Sequence, residues 1–367
     1  MPIEIPFYGL SRFYQRNSTE FVQLFEEAFS GGQFVDGRQT NQLESCLALY
    51  TGRNYAVSTA SGTDALFFAL LAAELDNSCE VLVPALSFIA SATAITRCGA
   101  TPVFVDVLPG NALMDIEDAR RKVSSKTKAI VFVDLYGNMP DFKQIEDFAL
   151  EHGLVLIEDA AQALGSQREG RCAGSLGEIS ILSFDPSKPI GAFGTGGAVL
   201  TNNRDIAQRC LQMRQNGKNP ATSNYDGFGI NSRMSEFQAA VVNFQMEQYN
   251  EILTIRREKA NRYSINLKRT DIKILVCDQF SYLGNFHKFV LHLNERNRLK
   301  EFLNAHGVQT MIHYEQCLYE HKVLSRFATS SCPNATILSN TVLSIPFYPE
   351  LEDQEIDFVS HLLNSFE

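Results

Sequence analysis

The chain has 367 residues, 45% of them hydrophobic and 20% charged, which excludes a disordered or low-complexity protein. Its 32 basic and 42 acidic residues leave a formal charge of −10 with no long basic run, so nucleic acid and anionic membrane are excluded as expected partners. At roughly 100–200 residues per domain, the length predicts one large and one small domain.

The opening MPIEIPFYGLSRFY lacks the basic start and apolar core of a signal peptide. No apolar run approaches the roughly 20 residues that span a bilayer. Eight cysteines (Cys46, Cys79, Cys98, Cys172, Cys210, Cys277, Cys317, Cys332) form no CxxC pair and sit mostly among apolar neighbours. They read as reduced core residues, not as a disulfide framework or a metal site. A soluble cytoplasmic protein is expected.

From about residue 54 to 202, short β-rich runs alternate with helical patterns. Tyr55–Ser58 reads as a strand and Thr63–Leu75 as an apolar helix. Glu80–Pro84, Pro102–Val107, Ala129–Leu135 and Leu154–Glu158 are further strands, with helices at Ile89–Arg97, Ile116–Val123 and Asp141–His152. Nearly continuous apolar strands between helices predict a mostly parallel sheet covered on both faces. Ile179–Phe184 and Gly197–Thr201 bring the strands to seven, the last two joined by a loop with no room for a helix. Ser235–Lys268 reads as one long helical stretch. Beyond it, Ile272–Cys277, Phe286–Leu293, a helix at Glu295–His306 and a short Gln309–His313 segment predict a small α+β domain. The expected division is 1–234, the large domain, and 235–367, the linking helix with the small domain.

Three segments carry chemistry. In Ser58-Thr59-Ala60-Ser61-Gly62-Thr63-Asp64, a strand ends and a helix begins. Free N–H groups at a helix start, with Gly62 allowing close approach and Thr63 adding a hydroxyl, make a phosphate site, while a plainly capped helix is the alternative. In Leu154-Val155-Leu156-Ile157-Glu158-Asp159, a strand delivers an acidic pair to its C-terminal end. An Asp there can hold a proton on a heteroaromatic nitrogen, as a pyridoxal ring requires, or ligate a metal, or cap the next helix. In Ser183-Phe184-Asp185-Pro186-Ser187-Lys188-Pro189, a lone lysine sits between a strand and a loop with four glycines in seven residues, Gly191 to Gly197. Beside a cofactor such an amine is a nucleophile; in water it is a protonated surface lysine. The glycine run is no dinucleotide fingerprint, because its spacing differs and it precedes a strand.

The order of these segments, with Ser87-Phe88 at an intervening strand end and 188 − 159 = 29 positions from acid to amine, resembles the pyridoxal-phosphate-dependent sugar-nucleotide aminotransferases of the DegT/StrS family, which have fold type I. The resemblance runs from Ser61-Gly62-Thr63-Asp64-Ala65-Leu66 through Asn231-Ser232-Arg233-Met234 to His313-Tyr314. It implies that Lys188 bonds covalently to the cofactor and later shuttles a proton. Asp159 would keep the pyridine nitrogen protonated, and Phe88 would stack on the ring. Gly62, Thr63 and Ser183 would hold the phosphate, and Gln162 would lie beside the ring near its phenolic oxygen. Asn231 would reach the phosphate of a partner subunit, which makes the enzyme a homodimer with shared sites. Arg233, His313, Tyr314 and Tyr319 are candidates for the sugar pocket. No metal is expected. The implied reaction moves an amino group from an amino acid, typically glutamate, to a nucleotide-linked keto-deoxy sugar at carbon 3 or 4, for polysaccharide or glycoside biosynthesis.

The chain departs from the family around the sugar. Asp134 replaces the histidine of Val-His-Leu-Tyr-Gly, Pro189 replaces an asparagine, and Thr195 replaces the glutamate of Gly-Glu-Gly-Gly. The loop before Gly197 is one residue longer than in many carbon-4 aminotransferases, as in some members that act on 3-keto sugars. Two other activities share the fold: a sugar dehydratase, in which histidine stands for the lysine, and a non-catalytic sugar-nucleotide-binding or regulatory protein. The presence of both Lys188 and Asp159 argues against each.

Overall fold

The computed structural model describes residues 4–276 and 282–367. Seven strands form the main sheet in the spatial order Tyr55–Thr59, Gly197–Thr201, Ile179–Ser183, Val155–Asp159, Thr127–Val133, Glu80–Pro84, Thr101–Val105. Gly197–Thr201 runs antiparallel to both neighbours, and the other pairs are parallel. The expected sheet is therefore present, including the helix-free connection between Ile179–Ser183 and Gly197–Thr201.

Local chemistry sets the helix ends. Ser61 caps Gly62–Ala72 by accepting the Asp64 N–H at 3.1 Å, and Asp141 caps Phe142–His152 through Lys143 and Gln144. Gly153 ends the latter helix in a left-handed conformation, at φ 62°, that a side chain would resist. Helix Gly62–Ala72 buries most of its residues, which accounts for its apolar character on nearly every face.

Strand alternation divides the core into two layers. Ile157, Ile181 and Val199 join the layer containing Leu66 and Phe68, whereas Leu156, Leu182 and Leu200 join the one containing Leu43 and Phe148. A third core gathers Ile5, Tyr263, Phe289, Leu303, Leu343 and Val359 around a small antiparallel sheet, Lys273–Ile274, Phe289–His292 and Val342–Ile345.

The C-terminal third departs from expectation in three places. Residues 235–268 form two helices, Glu236–Glu247 and Tyr249–Asn266, with Gln248 outside helical geometry at φ −106° and ψ 8°. Ala239, Val242 and Met246 of the first pack into the large sheet's core, as do Tyr249 and Leu253 at the start of the second, whereas Ala260 and Tyr263 further along the second belong to the small one. Gln309–His313 contributes only a bridge from Met311 to Ser344, because the fully buried Val342–Ile345 takes the sheet position. Of Ile272–Cys277, only Lys273–Ile274 is strand; Cys277 lies outside the described residues. Among the described residues no helix is long and apolar enough to cross a membrane, and no cluster of side chains could hold a metal.

Candidate active site

The parallel strands deliver their C-terminal ends to one sheet edge, where open α/β sheets place ligands. Thr59 leads to Ser61, Pro84 to Ser87 and Phe88, Val133 to Tyr136, and two further strands end on Asp159 and Ser183. The antiparallel strand starts at this edge too: Gly197 pairs with both Thr59 and Ser183. A cavity of about 360 Å³ opens there. Gly62, Thr63, Phe88, Asp159, Gln162, Ser183, Lys188, His313 and Tyr314 border it together, nine of the twelve residues singled out above.

Alternation splits the acidic pair. Asp159 faces the cavity: its Oδ2 accepts the Ser91 hydroxyl at 3.1 Å and its Oδ1 the Ala161 N–H at 3.2 Å. Ser91 in turn shares a hydrogen bond with Ser87 at 2.9 Å. Burial pushes the Asp159 carboxyl up, while these donors and Lys188 pull it down. Glu158 faces the opposite layer and has a structural task. It accepts the N–H groups of Gly174 and Leu176 and the Ser180 hydroxyl, at 2.7–2.9 Å. Asp134 lies on the Glu158 side, fully buried, where its carboxyl meets that of Glu158 and no N–H group among the described residues reaches it. Burial, reinforced by Glu158 and Asp159, pushes its proton affinity well up.

Lys188 follows the turn Asp185–Ser187, where Asp185 Oδ1 accepts the Ser187 N–H and hydroxyl at 2.9 and 2.6 Å. Burial lowers the lysine's proton affinity, against the pull of Asp159 and Asp185, and so favours the neutral, nucleophilic amine. Gln162 is held from two sides. Its Oε1 accepts the Tyr136 N–H at 2.8 Å, and its Nε2 donates to the Tyr314 hydroxyl at 3.2 Å. Tyr136 also donates its hydroxyl to the His313 carbonyl, tying the two sugar-pocket candidates to the sheet. Phe88 is 50% exposed, its ring 6.1 Å from that of Tyr314.

At the phosphate turn the backbones close up. A Cβ on Gly197 would lie 2.6 Å from the Gly62 nitrogen and the Ser61 carbonyl, and one on Gly62 would lie 2.7 Å from Ser183 Cβ. The first-turn N–H groups of Gly62 and Thr63 have no acceptor inside their helix. Anion donors at one end, a buried acid at the other and an amine between them are the donor set that pyridoxal phosphate requires.

Three candidates stand outside the cavity. Asn231 is exposed, and its Oδ1 accepts from Arg233 Nε at 3.1 Å. Arg233 pairs with Asp36 at 3.3 Å. Tyr319 is not brought to the site: its hydroxyl bonds Thr336 at 2.8 Å and its ring packs on Phe104. Its short helix, Leu318–Glu320, is drawn into the core by Leu318, which carries Tyr319 away. Several wall residues had not been singled out: Tyr8, Ser91, Ser187, His287 and Lys288. Ser187 lies next to Lys188 in the lysine segment, and Ser91 left a local trace four positions after Ser87 on a helix start.

Comparison with known proteins agrees with this fold. A relative from Acidithiobacillus ferrooxidans, UDP-N-acetyl-3-dehydro-alpha-D-glucosamine 3-aminotransferase, is 36% identical over 352 residues, covering 96% of this chain and 95% of its own. A pleiotropic regulatory protein of Geobacillus stearothermophilus is 32% identical over 99% of each chain. Among solved structures, S. venezuelae DesV in complex with a ketimine intermediate superposes with a TM-score of 0.94 at 30% identity, covering 98% of both chains. Residues 15–364 match the DegT/DnrJ/EryC1/StrS aminotransferase family, whose cofactor is pyridoxal phosphate, and the chain belongs to that family.

Proposed function

We propose that this chain transfers an amino group from glutamate to carbon 3 of a sugar linked to a pyrimidine nucleotide, in the cytoplasm and as a homodimer. The product would serve the biosynthesis of a cell-surface polysaccharide or glycoside. The observation that carries the reading is the meeting of Lys188 and Asp159 at one cavity whose far end is the Gly62–Thr63 helix start. Carbon 3 is favoured by the names of relatives, 3-aminotransferases of UDP- and dTDP-linked sugars among them, and by the longer loop before Gly197.

Pyridoxal phosphate, when bound, supplies an electron-withdrawing ring that stabilises negative charge on the carbon bearing the nitrogen. The chain's residues do the rest. Gly62, Thr63 and Ser183 hold the phosphate. Asp159, oriented by Ser91 and the Ala161 N–H, keeps the proton on the ring nitrogen. Lys188, its amine favoured in the neutral form by burial, would hold at Nζ the proton that moves between the nitrogen-bearing substrate carbon and the cofactor. Gln162, whose Nε2 donates to the Tyr314 hydroxyl, would lie beside the ring.

Asn231 has its role across a two-fold interface. Ser232 is fastened beside the phosphate turn, with its carbonyl and hydroxyl accepting the Ala60 N–H at 3.1 and 3.0 Å, yet Asn231 faces away from its own cavity. An exposed amide next to a phosphate turn, on a helix approach lined by Phe25 and Phe34, both more than half exposed, fits a partner's site.

The test is an amination assay on the purified holoenzyme with glutamate, across UDP-, dTDP- and GDP-linked 3-keto and 4-keto sugars, read by mass. A mass change on a 3-keto pyrimidine-nucleotide sugar supports the reading. A second reading, a regulator without catalysis, is raised by the name of the Geobacillus stearothermophilus relative. It would be supported if cofactor bound and no sugar or donor were turned over.

A further inference from the structure

Lys288 comes from the small antiparallel sheet's side of the molecule, one residue before the strand Phe289–His292, and enters the wall of the active-site cavity. It also borders a second cavity, of about 220 Å³, on the other side of Lys188. It is 8% exposed, and no ion pair or side-chain hydrogen bond holds its amine among the described residues. Its Nζ lies 4.4 Å from the Tyr8 ring centroid and 5.2 Å from that of Phe7.

Burial holds its proton affinity well below that of a free lysine, and the groups facing it do little to restore the charge. Arg256, and Lys188 whenever it carries a proton, act further against its protonation, and Asp185 favours it. The Asp185 Oδ1 is already engaged by Ser187. His287 beside it is held neutral by burial, and His313 is pushed down to about 3. A buried ammonium normally has a counter-ion, because desolvation is costly and aromatic faces offset it only in part. An amine placed this way becomes an ammonium when an anion enters the cavity beside it.

The cofactor phosphate is not that anion, since its donors lie at Gly62, Thr63 and Ser183 on the main sheet. The other amine at this wall is Lys188, which acts on Lys288 directly when it is protonated. Any amino acid that reacts at Lys188 brings a carboxylate within one bond of the reacting carbon, and an acidic sugar brings one on its ring. Tyr8 and Ser187 add hydroxyls on the same wall, a set suited to a monoanion.

We infer that Lys288 is a binding residue for a substrate carboxylate at the Lys188 side of the cavity. The inference rests on the aminotransferase reading, but its first test does not require turnover. Wild-type holoenzyme is titrated calorimetrically with glutarate, with its neutral isostere glutaramide, and with free glucuronate. Lys288→Met and Lys288→Arg holoenzymes are titrated alongside. At least tenfold tighter binding of one acid than of glutaramide, lost in Lys288→Met and kept within about threefold in Lys288→Arg, supports the proposal.

The source of the carboxylate is read by the kinetic arms. A KM for glutamate raised at least tenfold in Lys288→Met, with kcat little changed, assigns it to the amino donor. A raised KM for a uronate nucleotide against its neutral counterpart, with glutamate unaffected, assigns it to the sugar. If the wild type binds both acids no better than glutaramide, the proposal is overturned, and that result stands even if Lys288→Met does not fold. Equal acid binding by wild type and a folded Lys288→Met overturns it as well. If acids bind through Lys288 while no keto sugar is aminated, the proposed function fails and this inference survives.

Discussion

Asp159→Asn isolates the charge at the ring nitrogen. The fold should tolerate it: an amide oxygen can still accept the Ala161 N–H at 3.2 Å, and its NH₂ can donate to Ser91, whose hydroxyl now donates at 3.1 Å. The structural cost is then on the order of 1 kcal/mol, one rearranged hydrogen bond. Removing the charge costs far more. An ion pair at about 4 Å with an effective dielectric of about 20 is worth about 4 kcal/mol. At roughly 1.4 kcal/mol per tenfold, that predicts a rate loss of about 10³. The assay is the single-turnover reaction with glutamate, followed by the cofactor's absorbance, with thermal unfolding run in parallel. We expect the rate to fall by about three powers of ten while the melting temperature shifts by only a few degrees. A variant within threefold of wild type would refute the pairing of Asp159 with the ring. A variant that lost rate only because it lost its fold would refute the hydrogen-bond reasoning instead.

Lys188→Ala should abolish transamination and the visible band of lysine-bound cofactor, with stability near wild type because the amine packs into no core; measurable turnover would reassign the nucleophile. Asn231→Ala should weaken cofactor retention by roughly tenfold or more, the loss of one amide hydrogen bond to a charged phosphate at about 1.5–3 kcal/mol. In dimers mixed with Lys188→Ala, a trans role leaves one site wild type, so recovery of a competent site is expected and its absence counts against sharing. Asp134→Asn tests the buried acid. Because the folded-state proton affinity of Asp134 is raised, the folded state binds more protons than the unfolded one above the usual carboxylate range, and stability falls as pH rises there. Removing the acid should flatten that slope and stabilise the protein at neutral pH by about 1 kcal/mol or more; urea unfolding from pH 4 to 8 checks it, and an unchanged slope contradicts the assignment.

Much of the site was legible because its signals are local. A strand end followed by Ser61-Gly62-Thr63, a strand closing on Asp159 and a lysine between strand and glycine loop are each contained in about ten residues. Their chain order implied the fold, and all three meet at one sheet edge because parallel strands end on the same side. Alternation also guaranteed that Glu158 and Asp159 would face opposite ways. Which of them would face the cavity, however, depended on the layers above and below the sheet. The break at Gln248 and the use of Val342–Ile345 in place of Gln309–His313 were settled by competition for buried positions. Tyr319 was lost to the site because the neighbouring Leu318 was drawn into the core. Tyr8 and Lys288 are 280 positions apart, yet they stack beside Lys188. No periodicity or spacing encodes such a meeting, since it arises only when the N-terminal segment and the small antiparallel sheet close on the same edge of the large one.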